Sequence, residues 1–165
     1  MDLFRIESER ADGPPGVVVV WLEQPGKPVV VLDEALIRTL DRTLDHVPAD
    51  ADGLVLASAA PRSFVAGADL KSIQDLDDAG LHAYLEFGAR VFGRLSSFPF
   101  PTAAAINAAC LGGGLELAMH CDGPIGALPG SLTRSVFPRR ASRSARAGAG
   151  RTCFRLGWIP PGPSR

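Results

Sequence analysis

Two short stretches of this 165-residue chain hold residue types whose spacing could do chemistry. In Ala109 to Asp122, ACLGGGLELAMHCD, three consecutive glycines, Gly112, Gly113 and Gly114, are closely followed by Glu116. LELAM is a run of good helix formers, so the glycines stand where a strand gives way to a helix. Backbone N–H groups there lack intrahelical partners, and no Cβ keeps a ligand away. A helix N-terminus also favours negative charge. An oxyanion could be stabilised at such a seam, with the Glu116 carboxylate in the first turn as acid or base. The second stretch, Ser63 to Leu70, SFVAGADL, ends a loop in small residues, Ala66, Gly67 and Ala68, followed by Asp69, Leu70 and Lys71. Asp69 is suited to ordering that loop or capping a helix.

The elements that must position these stretches read clearly. Val17 to Leu22 is a β-branched run and predicts a strand. Gln24-Pro25-Gly26-Lys27-Pro28 is a turn, and Val29 to Leu32 reads as a second strand paired with the first. Asp33 is placed to cap a helix from Glu34 to His46, whose Leu36, Leu40, Leu44 and Val47 have helical spacing. Gly53 to Ser58 predicts a third strand, and Ala59 to Asp69 a loop. Asp77 or Asp78 caps a long helix from Ala79 to Ser96, with Leu81, Tyr84, Leu85, Gly88, Phe92 and Leu95 on its buried face. Thr102 to Ile106 has the length and bounds of a buried strand. Strands alternating with helices in this way predict an α/β domain.

Composition narrows the class. A hydrophobic content of 46% with 21% charged residues fits one soluble globular domain. No apolar run reaches membrane-spanning length, and the charged start MDLFRIESERADG has no signal-like apolar region. Three cysteines without paired spacing fit the reducing cytoplasm better than a disulfide scaffold. The charge is divided unevenly. All 18 acidic residues lie at or before Asp122, with nine basic ones, for a net −9; the eight arginines from Arg134 onward give the tail +8. Residues 123–165 are rich in Gly, Pro, Ser, Ala and Arg, and read as a disordered or poorly packed tail behind a domain of residues 1–122.

Taken together, SFVAGADL and ACLGGGLELAMHCD resemble the paired signatures of the crotonase superfamily, the enoyl-CoA hydratases and isomerases. The GGGLELA form is most similar to the hydratase part of multifunctional fatty-acid oxidation proteins. The resemblance covers about residues 15 to 122. It implies a crotonase-like spiral of ββα units, incomplete at the C-terminus, and lyase or isomerase chemistry on enoyl-CoA thioesters in fatty-acid β-oxidation. It implies an oxyanion hole from the N–H groups of Ala68 and Gly113, with Glu116 catalytic. Ala66, Gly67, Asp69, Leu70, Lys71 and Gly112 would line the coenzyme A groove. Coenzyme A is part of the substrate, so no separate cofactor or metal is implied. Family members are usually homotrimers.

The chain also departs from the family pattern. Hydratases carry a second glutamate, and the matching distance here falls at Val136; no Asp or Glu follows Asp122. A family member with one effective glutamate can still move a double bond. The competing expectation is an inactive crotonase fragment serving as a binding module. The abrupt change of composition motivates the hypothesis of a shifted reading frame in GC-rich DNA, which sequencing the flanking DNA in all three frames tests. Other readings fall away on spacing. His120, Cys121 and Asp122 are adjacent on a helix and point in different directions, a poor chelate. Cys110 reads as a structural thiol. The tail arginines are neither interleaved with aromatics nor set on a periodic helix, which argues against nucleic-acid binding.

Overall fold

A computed structural model describes residues 3–8 and 16–126. The five-stranded sheet is built from β1 (Arg5–Ser8), β2 (Val17–Leu22), β3 (Gly53–Ser58), β5 (Thr102–Ile106) and β7 (Gly123–Gly126), in the spatial order β1-β2-β3-β5-β7. β1 is antiparallel to β2; the other neighbours are parallel. A second, two-stranded parallel sheet pairs β4 (Ser63–Val65) with β6 (Ala109–Cys110). The helices are α1 (Glu34–Leu44), α2 (Leu70–Gln74), α3 (Asp78–Leu95) and α4 (Gly113–Met119).

The order β3, β4, α2–α3 and then β5, β6, α4 is a repeated ββα unit: one strand in the large sheet, one in the small, then helix. Parallel pairing in both sheets requires these crossovers. β2, the Val29–Leu32 segment and α1 form the first such unit. Val29–Leu32 is therefore not the hairpin partner of β2 expected from the Pro25-Gly26 turn. Its main chain goes to the β4 side instead, with the Val30 carbonyl accepting from Ala66 N and a parallel bridge joining Leu32 to Ala68. Ser63 Oγ takes up the Val30 N–H at 3.0 Å.

The core follows the sequence pattern closely. In β2, Val18, Val20 and Leu22 are buried in alternation, as a strand of period two requires. α1 contributes Leu36, Ile37, Leu40 and Leu44, and α3 contributes Val91, Phe92 and Leu95. Asp33 caps α1 by accepting from Leu36 N, and Asp77 caps α3 by accepting from Gly80 N. α1 ends two residues before His46. Leu85, expected inside, is 56% exposed, and Val91 takes its place in the core. The buried residues of α3 all lie in its second half, Gly88 onward. Its first half instead walls a cleft beside α2.

Two further expectations change. The Ala59–Asp69 loop contains β4, whose three residues are all buried. Gly123–Gly126, placed in the tail by composition, forms β7 against β5. Thr102 and Asp122 bring this about: the Asp122 carboxylate accepts from Thr102 N (2.9 Å) and Oγ1 (3.1 Å), and Asp122 N donates to Thr102 Oγ1 (3.0 Å). The chain leaving α4 is thereby fixed to the start of β5. The rest of the expected tail lies outside the described residues.

Candidate active site

The two chemistry-bearing stretches lie side by side because β4 and β6 are adjacent parallel strands. Val65 is in register with Cys110, and the last rung is Leu111 N to Val65 O, 3.1 Å. Beyond it both strands bend at a glycine and enter a helix. The bends occur at Gly67 (φ +111°) and Gly112 (φ +49°), conformations that side-chain-bearing residues rarely adopt. Ala68 lies three residues beyond Val65, and Gly113 three beyond Cys110.

The direction of each amide follows from its own peptide plane. In a trans peptide the C=O and the following N–H point in opposite directions. The Gly67 carbonyl accepts from Leu32 N at 2.8 Å, so the Ala68 N–H points away from the Leu32 backbone. The Gly112 carbonyl accepts from Leu115 N (3.0 Å) and Glu116 N (3.1 Å), so the Gly113 N–H points out of the first turn of α4. Neither N–H has a hydrogen-bond partner among the described residues. Backbone donors are normally paired in a folded protein, and these two unpartnered ones lie just past neighbouring bends.

The glycines permit this approach. A Cβ on Gly114 would stand 2.5 Å from the Val65 carbonyl oxygen, and one on Gly113 would stand 2.7 Å from Leu32 Cδ1. α4 therefore lies directly against β4. Glu116 sits in the first turn of α4, one turn beyond Gly113, and Cβ bonds on a helix tilt toward its N-terminus. The Glu116 side chain is exposed, without a hydrogen-bond or ion-pair partner among the described residues.

The remaining predicted site residues divide by role. Asp69 caps α2, accepting from Lys71 N (3.2 Å) and Ser72 Oγ (3.0 Å). The Ser72 hydrogen bond is the main cause that lowers its carboxyl below the ordinary value, despite slight desolvation. Its carboxylate is thus committed to the loop rather than to proton transfer. Leu70 and Lys71 are exposed, and Ala66 is half-buried with its N–H on Val30 O (2.7 Å). Partial burial pushes the Cys110 thiol up, away from the nucleophilic thiolate. In the His-Cys-Asp run, Asp122 is bound to Thr102, Cys121 is buried, and the His120 ring lies 6.2 Å from that of Phe92. No group of three metal-ligating side chains occurs among the described residues.

Sequence reasoning left three residues of this region without a role at the site: Leu32, Tyr84 and Ser63. A cleft of about 340 Å³ between α1, α2 and α3 is lined by Leu32, Asp69, Ile73, Leu76, Tyr84 and Phe87 among others. It borders the Ala68 loop through Asp69 and Leu32, and does not include Glu116 or the glycine run. The Tyr84 hydroxyl donates to Leu32 O at 3.0 Å. Helical spacing marked Tyr84 as a buried-face residue, but only the fold brings it to Leu32, 52 residues away.

Known proteins match this chain in sequence and in fold. The family model described as Enoyl-CoA hydratase/isomerase matches residues 12–134. The fatty acid oxidation complex subunit alpha of Aliivibrio fischeri is 38% identical over 110 residues, which cover 63% of this chain and 16% of that protein. The corresponding Shewanella halifaxensis protein is 39% identical over 109 residues, 64% of this chain and 15% of its own. Among solved structures, an enoyl-CoA hydratase from Bacillus anthracis superposes with a TM-score of 0.63 at 29% identity, covering 73% of this chain and 46% of that one. An enoyl-CoA hydratase/carnithine racemase from Magnetospirillum magneticum gives a TM-score of 0.64 at 25% identity over 76% of this chain and 46% of its own. The chain thus spans about a sixth of the curated relatives and under half of these solved structures. With its ββα units and the matched family model, the chain belongs to the enoyl-CoA hydratase/isomerase family.

Proposed function

We propose that this chain binds an enoyl-CoA thioester with the carbonyl oxygen against the N–H groups of Ala68 and Gly113. The observation that carries the reading is the pair of unpartnered amides, each three residues past the Val65–Cys110 pair on adjacent parallel strands. Removing a proton from the carbon beside a thioester places negative charge on its carbonyl oxygen, and two fixed donors lower the energy of that enolate.

Glu116 is the acid/base. For a 3-enoyl thioester its carboxylate takes a proton from C2, the dienolate is held at the two amides, and the same proton returns at C4 to give the 2-enoyl isomer. Hydration asks for more: a hydroxyl at C3 and a proton at C2, which the family divides between two glutamates. Isomerisation therefore needs fewer groups than hydration and suits this chain better. Ala66, Gly67, Asp69, Leu70, Lys71 and Gly112 line the thioester and coenzyme A approach, with the exposed Lys71 available to phosphate. Coenzyme A arrives as part of the substrate, and the reaction calls for no separate cofactor.

We place the activity in the cytoplasm, on a sparse set of cysteines without paired spacing in the sequence. A homotrimer is the usual family assembly, but the C-terminal elements that make its contacts have no recognisable counterpart in this sequence, so we do not propose it for this chain. The exposure of Glu116 favours one second reading, a module that binds acyl-CoA without turnover. Purified protein mixed with a 3-enoyl-CoA and with crotonyl-CoA, followed by the absorbance of the conjugated thioester, separates the two. The isomerase reading requires growth of that absorbance from the 3-enoyl substrate, and a loss of at least ~100-fold in Glu116→Gln. Equal rates in both proteins would remove Glu116 from the chemistry, and binding without any rate would leave the module.

A further inference from the structure

Leu32 stands at the junction of the two bends. Its N–H donates to Gly67 O at 2.8 Å, and its C=O accepts from Asp69 N at 2.9 Å. The two main-chain neighbours of Ala68 are therefore both tied to one residue. The Leu32 side chain reaches the other bend: Cδ1 lies where a Cβ on Gly113 would clash, at 2.7 Å. Leu32 itself is 2% exposed, and the preceding turn fixes its approach, with Gln24 Oε1 accepting from Val31 N and Gln24 Nε2 donating to Asp33.

The Leu32 carbonyl has a second donor, the Tyr84 hydroxyl at 3.0 Å. Tyr84 is on α3, whose second half is packed in the core by Val91, Phe92 and Leu95. The bond thus fastens the Ala68 loop to α3. Burial, with the Asp33 and Asp69 carboxylates nearby, pushes the phenol up, so Tyr84 keeps its proton and remains a donor.

We propose that Leu32 and Tyr84 are the positioning residues of the amide pair: Leu32 sets the spacing of Ala68 and Gly113, and the Tyr84 hydroxyl holds Leu32 in place. This rests on the oxyanion-hole reading for its catalytic consequence, though not for its structural content. Donors must be held within a fraction of an ångström to act on a transition state, so a loosened brace weakens turnover more than binding.

The test uses Tyr84→Phe, which keeps the ring and removes the hydroxyl, with Leu32→Ala as the stronger variant. Two measurements are made on the whole chain. The first needs no ligand: amide resonances of Ala68 and Gly113 by nitrogen-15 NMR, with thermal melting alongside. The brace requires both amides to move in Tyr84→Phe while resonances of β2 and β3 stay fixed. If Ala68 and Gly113 are unmoved, or if Leu32→Ala moves Ala68 alone, the proposal is overturned. The second is isomerisation of a 3-enoyl-CoA, expected to lose on the order of tenfold in kcat with KM within about twofold in Tyr84→Phe. An unchanged kcat would overturn the positioning role. A wild-type chain that neither binds nor turns over the thioester would instead defeat the acyl-CoA reading, and the amide shifts would still decide the brace.

Discussion

The Val65 carbonyl oxygen occupies the space that a Cβ on Gly114 would need: the two would be 2.5 Å apart. Helix α4 is seated on strand β4 at that point, and the seat sets where Gly113 and Glu116 stand. Alanine normally gains ~0.5–1 kcal/mol over glycine inside a helix. At Gly114 overpacking against fixed backbone costs more, ~1–3 kcal/mol. Gly114→Ala is therefore expected to lower stability by ~1–2 kcal/mol in urea unfolding. Gly93→Ala on α3, where nothing lies within 4 Å of the added methyl, is expected to raise stability by ~0.5–1 kcal/mol. Equal effects at the two positions would contradict the close seating of α4.

Asp122 and Thr102 connect the exit of α4 to the start of β5 through three hydrogen bonds. Bonds to a charged group are worth ~1.5–3 kcal/mol. Asp122→Ala is expected to cost ~2 kcal/mol and to speed hydrogen exchange of the Ile125 amide in β7 more than that of Val55 in β3. Uniform acceleration in both strands would show that Asp122 does not act locally on β7.

Asp41 on α1 and Arg94 on α3 give the fold a pH dependence. Arg94 reaches both the carboxylate and the main-chain oxygen of Asp41, the latter at 2.6 Å, and also bonds Asp45. Arg90 lies 3.3 Å from Asp41. Burial raises the Asp41 carboxyl, but the Arg94 hydrogen bond and the two guanidinium charges outweigh it and hold it below its ordinary value. A carboxyl lowered on folding contributes stability above its unfolded value, about 3.9, and loses it as pH falls through the folded value. Asp41→Asn is expected to cost ~1 kcal/mol at pH 7. Denaturation curves of the two proteins should draw together below about pH 4. A gap that stays constant down to pH 2 would assign the effect to packing.

How much of this was legible depends on how local each feature is. β3 was read with its observed limits, because GLVLAS is a continuous apolar run between turn residues. The cap at Asp33 was legible for the same reason, and that of α3 was narrowed to Asp77 or Asp78, since a cap bonds residues only three positions away. β4 was not. Ser63 and Val65 find their partners in β6, more than forty positions on, and a strand that short carries no periodicity. The pairing of Leu32 with Ala68 was hidden by a nearby turn that suggested a hairpin. At the site, the glycines and Glu116 were conspicuous because composition alone marks them. The directions of the Ala68 and Gly113 amides depend on where the Gly67 and Gly112 carbonyls find donors, and Leu32 becomes one of those donors only once the small sheet has formed.

The most direct measurement is the carbonyl stretch of crotonyl-CoA carrying carbon-13 at the thioester carbon, taken free and bound to the wild-type chain. Two amides directed at the oxygen polarise the C=O bond, so the expected result is a clear fall in frequency on binding. That fall should be smaller in Gly113→Ala, where the added methyl meets Leu32 and displaces the donor. A bound thioester whose carbonyl vibrates as it does in water would contradict the oxyanion hole at Ala68 and Gly113.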